Sequence, residues 1–119
     1  KRDFTYVADL VEGIARLSRA VPGAEPVAGD SLSPVAPFRI VNIGNGAPVP
    51  LADFVAAIER AIGKTAERRF LPMQPGDVPA TWASCELLET LVGSLPHTEL
   101  DAGVGAFVDW YRGYYGNAG

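Results

Sequence analysis

The residues whose types and spacing carry the most chemistry lie in one stretch, Met73-Gln74-Pro75-Gly76-Asp77-Val78-Pro79-Ala80-Thr81-Trp82-Ala83. Two prolines and one glycine surround a single acid there. Pro75-Gly76-Asp77 reads as a tight turn, because proline pre-sets φ and glycine is free to take φ > 0. Such a turn displays the Asp77 carboxylate from rigid backbone, where it is an acceptor for paired hydroxyls such as those of a ribose. The same carboxylate can instead cap its own turn, and spacing alone leaves both roles open.

Other reactive groups are sparse. Cys85 and His97 are the only thiol and the only imidazole. Nothing in the sequence joins them as a nucleophile pair, and no orienting acid is indicated. No His/Cys/Asp cluster has the spacing of metal ligands. Gly44-Asn45-Gly46 imitates a dinucleotide-binding turn, since it follows a β-branched run and precedes a helical pattern. The position of the third glycine holds Val49, however, so the turn is read as redirecting the chain, with Asn45 and Gly46 in left-handed conformations.

The elements that must position these groups follow from periodicity. Val7, Leu10, Val11, Ile14 and Leu17 predict an amphipathic helix over about 7–20, started by Thr5 and Asp9 and ended by Pro22-Gly23. Residues 22–37 are a proline-rich loop, expected to be mobile and without chemistry. Phe38–Ile43 predicts a strand. Leu51, Phe54, Val55, Ile58 and Ile62 predict a second helix over about 50–63. Ala66–Leu71 predicts a second short strand, which Pro72 ends. Ser84 is read as the cap of a third helix, closed by Gly93. Thr98-Glu99-Leu100-Asp101 resembles a capping box opening a fourth helix to about Tyr115. Its stripe of Val104, Phe107, Val108, Tyr111 and Tyr114 reads as core packing, Trp110 and Tyr115 included among the aromatics, with a frayed tail after it.

Composition narrows the function. The chain has 119 residues and is 48% hydrophobic, which suits one small globular domain or part of a larger protein. A net charge of −4 argues against a nucleic-acid surface or an acidic membrane surface. No apolar run approaches membrane-spanning length. A single cysteine allows no internal disulfide and fits a reducing, cytoplasmic compartment.

Three further stretches stand in order around the Asp77 turn: Arg2-Asp3-Phe4-Thr5-Tyr6-Val7, Val41-Asn42-Ile43-Gly44-Asn45 and Phe107-Val108-Asp109-Trp110-Tyr111. Together they resemble the extended short-chain dehydrogenase/reductases, the nucleotide-sugar epimerases and dehydratases, and among these most closely the UDP-glucuronate 4-epimerases. The resemblance covers nearly the whole chain. It implies an α/β fold of four helices and two short strands, the C-terminal substrate-binding portion of a Rossmann-type enzyme. It implies that residues 1–49 dock on the dinucleotide-binding domain and that 50–119 form the small nucleotide-sugar domain.

Site residues follow from the same resemblance. Arg2 would reach the diphosphate of a UDP-sugar; the residue alone reads rather as a solvated arginine paired with Asp3. Asp77 would take ribose hydroxyls. Gln74 stands where the family commonly has arginine, as in the glucuronate-specific members, and brings no charge. Thr81 would face the nucleotide, or is an ordinary threonine of an extended segment. The family's catalytic tyrosine is followed by lysine at the fourth position, and none of Tyr6, Tyr111, Tyr114 and Tyr115 is. Catalytic residues and the NAD site are therefore expected outside this chain, which begins without methionine and reads as a piece of a longer enzyme. A UDP-glucose 4-epimerase, a nucleotide-sugar decarboxylase and a non-catalytic interaction module on the same fold stay open. Self-association of the piece, or homodimerisation, is expected from the apolar faces that the missing sheet would cover.

Overall fold

The computed structural model describes residues 1–23 and 25–116. Four helices follow in order: α1 Val7–Leu17, α2 Leu51–Ile62, α3 Glu86–Val92 and α4 Leu100–Tyr115. They pack as two pairs, α2 against α4 and α1 against α3.

The α2–α4 pair carries the main core. Ala57 of α2 and Val104 and Val108 of α4 are buried, with Phe54, Ile58, Ala61 and Leu100 packed around them. These positions recur every three or four residues, so one stripe of each helix closes on the other. Phe54 also stacks on Phe4, centroids 4.0 Å apart, and so ties the N-terminal segment to α2. At the edge of the pair, Arg60 donates to Asp101 and Arg112 donates to the Ile62 carbonyl. In the second pair Leu88 of α3 is fully buried. Gly13 of α1 lies close against Ile43 and Leu95, where an added Cβ would stand 3.1 Å from Leu95 and 3.3 Å from Ile43 and press those side chains aside by a few tenths of an ångström.

The two expected strands are absent: among the described residues the helices are joined only by turns, irregular segments and one isolated bridge, Arg2 with Val49. A strand needs a neighbour to complete its ladder, and here other bonds take the backbone groups. In 38–43, the Ile40 N–H donates to the Ser31 hydroxyl and the Phe38 carbonyl accepts from Ser33. In 66–71, Glu59 accepts from the Ala66 N–H and from Arg68, which pins the segment to α2. Phe38, Ile40, Phe70 and Leu71 stay exposed.

Several caps also differ. Helix α1 stops at Leu17, where Ser18 Oγ donates to the Ala15 carbonyl, ahead of Pro22. Its N-cap is Tyr6, without a side-chain cap bond. Cys85, not Ser84, precedes α3, and Glu99 precedes α4, so no capping box forms. Thr98 is drawn instead to Asp9 of α1. The buried Asp9 carboxylate accepts the Thr98 N–H at 2.7 Å and its hydroxyl at 2.9 Å, joining α1 to the start of α4. Among the described residues no non-glycine has positive φ, so Gly46 alone, and not Asn45, supplies the left-handed conformation of that turn.

The aromatic stripe of α4 is not core. Val104 and Val108 face α2, but Phe107, Trp110, Tyr111, Tyr114 and Tyr115 stack on one another along an exposed face. Residues 22–37 are tied at their far end by a buried ion pair between Asp30 and Arg39. The tail after Gly116 lies outside the described residues.

Candidate functional site

The turn expected at residues 74–77 is present. The Asp77 N–H donates to the Gln74 carbonyl at 3.1 Å, with Pro75 at the second position and Gly76 at φ 87° at the third. Proline followed by a positive-φ glycine is the signature of a type II turn, and only glycine takes that third position without strain. The turn is hung on the N-terminal segment. Arg2 Nη2 donates to Asp77 Oδ1 at 2.6 Å, and Arg2 Nη1 donates to the carbonyls of Val78 at 2.8 Å and Lys1 at 3.0 Å. The Thr81 N–H donates to the Lys1 carbonyl at 3.2 Å, and the Asp3 N–H approaches the Thr81 hydroxyl at 3.4 Å.

Three of the four expected site residues are thereby brought together. Arg2, Asp77 and Thr81 form one cluster, although 75 positions separate the arginine from the acid. Gln74 contributes its backbone carbonyl to the turn, and its side chain is exposed with no bond to the cluster among the described residues. Arg2 pairs with Asp77 rather than with its neighbour Asp3. Asp77 also serves its own turn, since its Oδ1 accepts the Val78 N–H at 2.9 Å. The cap and the displayed acceptor are therefore the same group: Oδ1 is engaged, while Oδ2 meets no donor among the described residues.

Backbone geometry fixes Arg2 from the other side. Its N–H and carbonyl both pair with Val49, at 2.9 Å each, just ahead of α2. Sequence reasoning missed Asp3. The Asp3 Oδ2 accepts the Gly46 N–H at 3.1 Å, and its Oδ1 is buried with no partner among the described residues. This carboxylate ties the N-terminal segment to the 44–46 turn. A Cβ at Gly44 would lie 2.9 Å from Asp3 Oδ2 and 3.0 Å from the Ala83 Cβ, so the approach requires glycine. The available signal was the Gly44-Asn45-Gly46 turn itself, whose small residue admits a neighbour.

Cys85 and His97 end on this same turn, as anchors. Cys85 Sγ donates to the Gly44 carbonyl at 3.3 Å, and His97 Nδ1 shares a hydrogen with Asn45 Oδ1 at 3.0 Å. The turn does not fit a dinucleotide: the Gly46 amide that would face a pyrophosphate already holds Asp3, and a second anion there would meet that carboxylate. Among the described residues no group of His, Cys, Asp and Glu is arranged to hold a metal, and no helix is long and apolar enough to cross a membrane.

No family model matches the chain. Individual relatives do. A probable UDP-glucuronate 4-epimerase of Rhizobium meliloti is 50% identical over 122 residues, covering 98% of this chain and 36% of that protein. Over nearly its whole length the chain is similar to UDP-glucuronate 4-epimerases. UDP-glucuronate 4-epimerase 4 of Arabidopsis thaliana is 36% identical, with 96% of this chain and 26% of that protein covered. Among solved structures, a UDP-glucuronic acid 4-epimerase variant from Bacillus cereus, in complex with UDP-4-deoxy-4-fluoro-glucuronic acid and NAD, superposes with a TM-score of 0.72 at 26% identity. That match covers 95% of this chain and 32% of the other. The chain thus spans about a third of the length of these epimerases and matches their C-terminal portion.

Proposed function

We propose that this chain is the nucleotide-sugar grip of an NAD-dependent epimerase that interconverts UDP-glucuronate and UDP-galacturonate. Arg2 donates to the diphosphate and Asp77 accepts from the ribose hydroxyls. Thr81 lines the nucleotide side, and Gln74 offers an uncharged hydrogen-bonding group in place of a second cation. The observation that carries this reading is the convergence of Arg2, Asp77 and Thr81 on one exposed cluster. A cation beside a carboxylate with an open oxygen is complementary to a phosphate beside a diol.

In this reading residues 1–49 dock on a cofactor-binding part and 50–119 form the substrate unit, with Arg2 reaching from the first into the second. NAD and the catalytic tyrosine belong to the part of the protein outside this chain. The relatives' complexes with NAD support that division, as does the poor fit of the 44–46 turn to a pyrophosphate. The enzyme acts in the cytoplasm as a homodimer, in keeping with the lone cysteine and the exposed apolar face of α1.

The test uses the whole protein that contains this chain, supplied in parallel with UDP-glucuronate and UDP-glucose. Conversion of the glucuronate to its 4-epimer is expected, with little turnover of glucose. Preference for UDP-glucose would reassign the sugar, and failure to bind either nucleotide would reject the reading.

A further inference from the structure

We propose that Asp77 is a positioning residue for Arg2 as well as an acceptor for ribose: it orients the guanidinium so that a two-donor edge is left open for the diphosphate. The inference rests on the nucleotide-sugar reading above.

A donor count carries it. A guanidinium has five N–H donors in a planar fork. Both donors of Arg2 Nη1 are used, on the Val78 and Lys1 carbonyls. One donor of Nη2 is used, on Asp77 Oδ1. The Nε–H and the second Nη2–H meet no acceptor among the described residues. Two N–H groups of one guanidinium are what a phosphate takes in a bidentate contact. Arg2 is therefore fixed at one end and free at the other. The same division runs through its partner. Oδ1 of Asp77 is shared between Arg2 and the Val78 N–H, and Oδ2 meets no donor. Both side chains are partly exposed, 31% for Arg2 and 47% for Asp77, so a ligand can reach the open atoms.

The physical gain is pre-organisation. A long arginine side chain loses rotamer freedom when it grips a ligand, and a hold made beforehand removes that loss from binding. The opposite role is a competitor: if Asp77 merely neutralised Arg2, removing it would strengthen phosphate binding. The two roles predict opposite signs.

Inorganic pyrophosphate separates them, because it has the phosphates and no ribose. It is titrated by calorimetry into the whole protein, beside UDP. Asp77→Ala removes the hold and is expected to weaken pyrophosphate roughly tenfold, the loss of about one charged hydrogen bond. Asp77→Asn keeps an amide oxygen for Arg2 and for the Val78 N–H. It is expected to leave pyrophosphate within about twofold while weakening UDP, since an amide nitrogen replaces the open acceptor. In an Arg2→Ala background the Asp77→Ala change is expected to have no further effect on pyrophosphate. If the wild type binds UDP but pyrophosphate too weakly to titrate, the coupling is read from UDP: losses for Arg2→Ala and Asp77→Ala that simply add overturn the proposal. Unchanged or tighter pyrophosphate binding by Asp77→Ala overturns it as well. A wild type that binds no UDP rejects the underlying site, and this inference with it.

Discussion

The Arg39 guanidinium and the Asp30 carboxylate meet edge to edge, Nε to Oδ1 at 2.8 Å and Nη2 to Oδ2 at 2.6 Å, with both side chains nearly closed off from solvent. The Val27 N–H adds a third bond to Oδ2 at 3.0 Å. The pair closes the end of the proline-rich loop on itself.

One consequence is a pH dependence of known sign. The hydrogen bond from Arg39, outweighing burial, holds the Asp30 carboxyl down from 3.8 to about 2. A carboxyl whose folded pKa is depressed contributes stability above its unfolded value and loses it as pH falls toward the folded value. The contribution is therefore complete above about pH 4 and gone by about pH 2. Denaturant unfolding of wild type and Asp30→Asn should differ by a constant amount near neutrality, and the difference should shrink between about pH 4 and 2. A gap that persists at the lowest pH would detach the effect from this carboxyl.

Leu88 is expected to be the least tolerant apolar position. Its side chain is fully buried on α3, which packs against α1, and Leu88→Ala leaves a cavity that costs about 2–5 kcal/mol. Val11→Ala, on the exposed face of α1, should change stability by less than about 0.5 kcal/mol. Midpoints of denaturant unfolding compare the two, and equal losses would mean that the α1–α3 contact is not where the burial lies.

Gly44→Ala should damage the site through packing. The added methyl meets Asp3 Oδ2 and Ala83, so the 44–46 turn and the 81–85 segment must part. A stability loss of about 1–3 kcal/mol is expected, together with weaker UDP binding through the displaced Thr81. Gly105→Ala, in open space on α4, is the control and should be neutral or stabilising by up to about 1 kcal/mol. Calorimetric melting and UDP titration read both variants; a Gly44→Ala protein that melts and binds like wild type would place no close contact there.

The chain on its own should self-associate through α1. Val7, Val11 and Ile14 are each more than half exposed and lie on one helical face. Several such side chains in water are a large fraction of a small domain's stability. Light scattering should show a mass that falls on dilution, and Val11→Asp with Ile14→Glu should shift it to monomer. A monomer at every concentration in the wild type would remove this role from the face.

All four helices were legible in the sequence, because apolar residues at three- and four-residue spacing need only one partner face. The strands were misread for the complementary reason. Phe38–Ile43 has the composition of a strand, but a ladder requires a neighbour at the correct distance, and Ser31 and Ser33 took the backbone groups instead. In α4 the periodicity fitted two faces, and nothing in the pattern told Val104 and Val108, which meet α2, from Phe107 and Tyr111, which do not. Thr98 and Ser84 looked like caps because local spacing cannot show that Asp9 competes for Thr98. At the site, the turn at Gln74–Asp77 was readable from Pro75-Gly76 alone. Family resemblance singled out Arg2 and Asp77 as expected site residues, but it did not show their contact, which spans most of the chain.

That span bears on when the site appears during folding. Arg2 joins Val49 through its backbone and Asp77 through its side chain, and both contacts close loops of dozens of residues. Loop closure of that length is entropically costly and slow compared with helix formation. The helices are expected to form first and the grip last, so a refolding chain acquires its helical signal before its affinity for a nucleotide. Under the proposed function, ligand capture then reports completion of the fold, and a population arrested early is expected to be helical and blind to UDP.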